Sequence, residues 1–109
     1  MRNATVQNKS EDITCPIEKT LKVIGNKWTM LIIRDLLKNK MRFGELQRSL
    51  RGISPRTLSL RMSQLEEDGI VSKKIFPVIP PKTEYSLTKK GRSLASILGQ
   101  MVEWGESYA

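Results

Sequence analysis

A helix with its own start and stop signals sits in the middle of the sequence and limits what the rest can be. Ser54 favours the N-cap, Pro55 suits the first helical position, and Gly69 can take the left-handed turn that ends a helix. Together they predict a helix from Pro55 to Asp68. Arg51-Gly52-Ile53 comes just before it, short and holding a glycine, as the turn of a helix-turn-helix often does. On the far side of that turn, Phe43, Leu46 and Leu50 share one side of a short helix over Phe43–Leu50.

Two further helices precede this pair. Ile17, Leu21 and Ile24 fall on one face of Pro16–Ile24, and Pro16 at the first helical position makes Cys15 the N-cap. Gly25-Asn26 ends that helix. Lys27–Leu37 follows, with Trp28, Leu31, Ile32 and Leu36 turned inward. Lys38-Asn39-Lys40 closes it, placing cations at the negative end of the helix dipole. Past Gly69 the pattern changes. Ile70–Phe76 is rich in β-formers, Pro77, Pro80 and Pro81 deny the next stretch ladder donors, and Thr83–Leu87 alternates. The expected form is a hairpin with a long tip. Thr88 can cap a last helix over Lys89–Ser107, whose apolar positions are Leu94, Ile97, Leu98, Met101, Val102 and Trp104. Residues 1–13 are polar and unpatterned, a flexible N-terminal arm with Ile13 as its first anchor. Residues 14–109 read as one domain, mainly α with a small β-hairpin wing, the arrangement of a winged helix-turn-helix.

Charge and absences narrow the function. Nineteen Lys and Arg oppose eleven Asp and Glu, a net charge of +8, which suggests a polyanionic partner. There is no histidine, so the usual general base and the commonest metal ligand are missing. A single cysteine, Cys15, rules out both a Cys-only zinc site and an internal disulfide. No convergent carboxylate pair is visible either. An enzyme, a metal site and a bound cofactor are therefore not expected. No apolar run reaches membrane-spanning length, and Met1-Arg2-Asn3-Ala4-Thr5 leads into polar residues rather than a signal core. The expected compartment is the cytoplasm, with no membrane partner.

The central helix carries the functional expectation. On a helical wheel Leu58, Met62 and Leu65 cluster toward the core. Arg56, Leu60, Ser63 and Gln64 lie opposite, flanked by Thr57, Ser59 and Arg61. Guanidinium, hydroxyl and amide groups suit base edges, so these seven are the candidate readers of double-stranded DNA. Leu60 either meets a thymine methyl or is an ordinary surface leucine. Glu66, Glu67 and Asp68 crowd the last turn, where acids oppose the helix dipole and repel phosphate. The helix is thus expected to enter the major groove by its N-terminal half. Lys40, Arg42, Ser54, Lys73, Lys74 and Lys82, with Lys38, are candidates for the DNA backbone, contacts that position rather than specify. A non-specific or architectural nucleic-acid-binding protein is the alternative. RNA recognition wants exposed aromatics. The chain has two each of Trp, Tyr and Phe, and Trp28, Phe43 and Tyr85 are better placed in the core.

Several blocks together resemble the HxlR-type regulators, relatives of MarR. They are Cys15-Pro16-Ile17-Glu18, Val23-Ile24-Gly25-Asn26-Lys27-Trp28-Thr29, Arg42-Phe43-Gly44-Glu45-Leu46 and Gly52-Ile53-Ser54-Pro55. Leu65-Glu66-Glu67-Asp68-Gly69, the run Val78–Leu87, Gly91-Arg92-Ser93-Leu94 and Trp104-Gly105 continue the likeness. It departs at Asn26, where a second glycine often precedes Lys-Trp; asparagine also tolerates left-handed geometry. The resemblance implies a homodimeric transcription factor, repressor or activator, held together by its first and last helices. Ile17 and Leu21 on the first, and Ile97, Met101, Val102 and Trp104 on the last, are the candidate dimer interface. Leu94, Leu98 and Met101 can also serve the core. Two-fold symmetry would match a palindromic operator. Some members resemble redox sensors with a cysteine just before this proline. The positive end of a helix favours a thiolate, while Glu18 opposes it. Cys15 is either such a sensor or an inert residue packed at the interface. A small-molecule or an oxidant effector is compatible with both. Lacking a second cysteine, the chain offers only an intermolecular Cys15–Cys15 bond or a small-thiol adduct.

Overall fold

The computed structural model describes residues 15–109, so the expected arm over 1–13, with Ile13, lies outside the described residues. Helix α1 spans Pro16–Ile24, with Cys15 at its N-cap as expected. It stops at Gly25, where a Cβ would collide with the Leu21 carbonyl. Asn26 is not left-handed. Its φ is −124°, and its side chain accepts from the backbone of Trp28 (2.9 Å) and Thr29 (3.4 Å). Asparagine stands there as the N-cap of α2, Lys27–Lys38.

Helix α2 buries a broader face than the one expected. Ile32 and Leu36 are buried, but so are Thr29, Ile33 and Asp35, while Trp28 and Leu31 pack half-buried against the core. Strand β1 (Met41–Arg42), helix α3 (Phe43–Ser49) and helix α4 (Pro55–Glu67) follow. The Glu45 side chain accepts from the Arg42 backbone N–H at 2.8 Å and holds the first turn of α3. Between α3 and α4, Gly52 adopts φ +89°, a left-handed value open to glycine at little strain, and Ile53 is buried as the anchor of the turn.

Strands β2 (Val71–Phe76) and β3 (Lys82–Leu87) form the expected hairpin, paired from Val71↔Leu87 to Phe76↔Lys82. A third strand was not expected. Strand β1 joins the free edge of β3 through Met41↔Tyr85 and Arg42↔Glu84, giving an antiparallel sheet in the order β1-β3-β2. Two residues are too few to show alternation, and their pairing partner lies more than forty positions away.

The single last helix is in fact two: α5 (Lys89–Arg92) and α6 (Ala95–Tyr108). Thr88 caps α5 as expected, its hydroxyl accepting from Gly91 N–H at 3.0 Å and donating to the Gly69 carbonyl at 2.5 Å. The break follows from local competition for carbonyls. Ser93 Oγ donates to the Lys90 carbonyl at 2.5 Å, and Leu94 N–H bonds back to Gly91 rather than one residue further. Gly91 presses on the Ile70 carbonyl so closely that a Cβ would collide, which pins α5 to the start of β2. Leu94 and Leu98 pack on the core, but Met101 is 52% exposed and takes no part in it.

The core joins α2, α3, α4 and the inner face of the sheet through Ile32, Ile33, Leu46, Leu58, Met62 and Leu87. The chain is mainly helical with a small antiparallel sheet and a hairpin wing. No helix among the described residues is long and apolar enough to cross a membrane.

One buried charge supports this arrangement. Asp35 is 6% exposed. Its Oδ1 accepts from Arg34 (Nη2 at 2.9 Å, Nε at 3.0 Å), and its Oδ2 accepts from Ser49 Oγ at 2.6 Å. Ser49 is the last residue of α3, so the carboxylate ties α2 to the helix that leads into the turn. Asp35→Ala is expected to lower unfolding free energy by about 1–3 kcal/mol in urea denaturation. Ser49→Ala should have a smaller effect, about 1 kcal/mol, because Arg34 still pairs the carboxylate.

Candidate nucleic-acid interface

The sequence of α4 builds one side for the core and one for solvent. Leu58, Met62 and Leu65 are buried, as its spacing predicts. Ser54 caps the helix, its Oγ accepting from Thr57 N–H at 3.0 Å. Gly69 ends it at φ +74°, and Ile70 N–H bonds back to the Leu65 carbonyl at 2.9 Å. With both ends anchored and the apolar stripe buried, the rotation of the helix is set.

On the opposite side Arg56, Ser59, Leu60, Ser63 and Gln64 are exposed, and Arg61 is half-buried. Thr57 is half-buried too, its Oγ1 accepting from Ser54 Oγ at 2.9 Å, so this hydroxyl belongs first to the cap and keeps one proton to donate. Gln64 reaches along the helix toward Asp68 at 3.4 Å. Six of the seven candidate readers therefore present polar atoms, and Leu60 a bare apolar surface, along one helix.

The acidic last turn has a partner that the sequence did not reveal. Glu66 lies 3.9 Å from Lys73 of β2 and faces Tyr85 on the sheet. Burial, and then the Glu66 charge, raise the Tyr85 phenol above its ordinary 10.0. The acidic end of α4 thus leans on the sheet.

The candidate backbone residues separate by position. Lys73 and Lys74 are neighbours on a strand and so point to opposite faces. Lys73 turns to the inner face and toward Glu66. Lys74 shares the outer face with Lys82, Glu84 and Arg42, its Nζ 5.0 Å from the Phe76 ring centroid. Lys40 and Arg42 are exposed between α2 and α3, next to an open cleft of about 420 Å³ lined by Lys38, Lys40, Glu45 and Ser49. Arg48 and Arg51 are further exposed cations within the helix-turn-helix. No local pattern in the sequence sets these two apart from an ordinary solvated arginine.

A second exposed surface is apolar. Ile17 and Leu21 on α1 are exposed, as are Ile97, Met101, Val102 and Trp104 on α6, and α6 has no fully buried residue. Tyr108 extends this surface, its ring 5.6 Å from that of Trp104, and together with Ile97 and Met101 they line a shallow groove of about 470 Å³. Helix α6 runs one residue past the expected end at Ser107 and so includes Tyr108. Cys15 is exposed at the start of α1, with no side-chain bond to the helix it caps.

Residues 23–109 match the HxlR-like helix-turn-helix family. The chain belongs to that family. Among its relatives is an HTH-type transcriptional regulator of Bacillus subtilis, YybR, 47% identical over 93 residues that cover 85% of this chain and 74% of the relative. The crystal structure of a MarR-family transcriptional regulator from Porphyromonas gingivalis superposes with a TM-score of 0.85 at 31% identity, covering 97% of this chain and all of that one. The redox regulator HypR in its reduced form superposes at 0.82 with 46% identity, covering 85% of this chain and 92% of that one. This HxlR-like chain is accordingly a transcriptional regulator of the helix-turn-helix type, with the winged fold of its MarR-family neighbours. The matched segment begins near the end of α1, so the family match does not include Cys15.

Proposed function

We propose that this regulator acts in the cytoplasm as a homodimer that binds a palindromic operator in double-stranded DNA and reads it with the outward side of α4 from Arg56 to Gln64. The observation that carries the reading is the capped, outward-facing side of α4: Arg56, Thr57, Ser59, Leu60, Arg61, Ser63 and Gln64 on one helix whose opposite stripe is buried. Arg56 and Arg61 suit guanine edges, the hydroxyls and the Gln64 amide suit adenine or phosphate, and Leu60 suits a thymine methyl. Lys40, Arg42, Ser54, Lys74 and Lys82 position the protein on phosphates. Lys73 does so more weakly because Glu66 shares its charge.

The dimer is supported by the exposed apolar side chains on α1 and α6, which no other described residue covers. Covering the part of each side chain that is still exposed contributes a fraction of the roughly 1.5–3 kcal/mol that full burial of an apolar side chain is worth. A two-fold axis there would set two α4 helices about 34–36 Å apart, one turn of DNA. Elements α1 to α6 then act as one DNA-binding and dimerisation domain.

Response to an oxidant through Cys15 is a second, compatible reading. It is favoured by the likeness to the redox regulator HypR and by the exposed thiol beside the Ile17 surface. Two Cys15 thiols would give up two protons and two electrons to a peroxide, which becomes water, and form one intermolecular disulfide.

In binding assays against selected and random duplexes, Arg56→Ala should weaken the operator complex by about 1–3 kcal/mol and leave random DNA nearly unchanged. Lys82→Ala should weaken both equally and lower the salt slope by about one. An equal loss for Arg56→Ala on both duplexes would make it a phosphate contact. Trp104→Glu should convert the dimer to monomer in sedimentation; a dimer of unchanged affinity would place the interface elsewhere. Mild peroxide should change operator affinity in the wild type and not in Cys15→Ser. Identical responses in the two proteins would remove the cysteine from regulation.

A further inference from the structure

Phosphate contact alone does not account for the tip of the wing. Residues 77–81 join β2 to β3 and hold Pro77, Val78, Ile79, Pro80 and Pro81, all exposed. Ile79 is 101% exposed. Val78 N–H bonds to the Phe76 carbonyl at 2.8 Å, a tight turn at the end of the strand. Three prolines restrict the remaining backbone, so this tip loses little conformational freedom when it is enclosed. No acid occurs from Ile75 to Lys82. Lys74 and Lys82 stand behind the apolar point, one on each strand, on the face they share with Phe76.

A rigid apolar point with basic shoulders, and with Glu84 set back beside Lys74, complements the DNA minor groove, whose base steps can be parted by an apolar wedge and whose walls are phosphate. The run of phosphates along each wall gives both lysines a partner at once, on either side of the point.

We propose that the wing tip is a wedge: Ile79, backed by Val78, enters the minor groove and partly unstacks one base step in each half-site, while Lys74 and Lys82 hold the adjoining phosphates. The wedge rests on the operator-binding reading above. It adds a source of sequence preference that α4 does not supply. Unstacking is easiest at pyrimidine–purine steps, so the operator should carry TA or CA/TG where the tip enters.

The test uses the full chain and an operator chosen from random duplexes, with 2-aminopurine placed in turn at each step flanking the half-sites. Binding of the wild type should brighten one step per half-site and bend the duplex in a circular-permutation gel. Ile79→Ala and Ile79→Ser, at a site that makes no core contact, should lose both signals with the salt slope unchanged. Lys82→Ala should lower that slope by about one and keep the brightening. A wild type that brightens no step, or an Ile79→Ala that keeps the bend, overturns the wedge and leaves operator binding standing. Association of the free protein beyond a dimer, lost in Ile79→Ala, would assign the tip to another copy and also overturn it. A wild type with no preference for selected over random duplexes overturns the operator reading and the wedge together.

Discussion

Burial of Leu58, Met62 and Leu65 is the contact on which the rest of the molecule depends. These three side chains occupy one stripe of α4, and once the stripe is in the core the helix cannot rotate. Everything on its other side, from Arg56 to Gln64, is then presented to solvent by necessity rather than by any attraction of its own. The Ser54 and Gly69 caps fix where the helix starts and stops, and the stripe fixes which way it faces. A polar surface suited to base edges is therefore the by-product of an apolar packing decision.

A small junction carries that orientation to the wing and the last helix. The start of β2, the end of β3 and the start of α5 meet at Ile70. Its N–H bonds to Leu65, its carbonyl accepts from Thr88 N–H at 3.0 Å, and Gly91 lies against the same carbonyl. Lys90 adds a bond from its Nζ to the Asp68 carbonyl at 2.8 Å, satisfying the C-terminal end of α4. These contacts tie α4, the hairpin and α5 together at one point. Charge is sorted across these elements as well. The acidic end of α4 turns toward Lys73 and Tyr85 on the sheet, while Lys74 and Lys82 remain on the outer face.

Much of this was legible because its causes are local. Ser54, Pro55 and Thr88 act within one turn of themselves, so their roles can be read without knowing what they pack against. The buried stripe of α4 and the alternation of Thr83–Leu87 are periodic, and periodicity survives in sequence. Features that depend on distant partners were not legible. Strand β1 exists because Met41 and Arg42 meet Tyr85 and Glu84. The gap between α5 and α6 combines a local cause, the carbonyl that Ser93 diverts, with a distant one, the approach of Gly91 to Ile70, and only the first could be read locally. Asn26 illustrates an intermediate case. Its tolerance of left-handed geometry suggested one role, yet its position directly before an amphipathic helix allowed another, and the cap is what formed.

By itself, then, the sequence determined the helix ends, the apolar stripes, the hairpin and the surplus of positive charge, because each is set by residue type over a few neighbours. Tertiary structure decided what those elements mean to one another. It set Lys73 and Lys74 on opposite faces of one strand, gave Glu66 a partner on the sheet, and left the apolar face of α6 bare with Tyr108 added to it. Those outcomes rest on which surfaces compete for burial, and that competition is resolved only when all the elements are packed together.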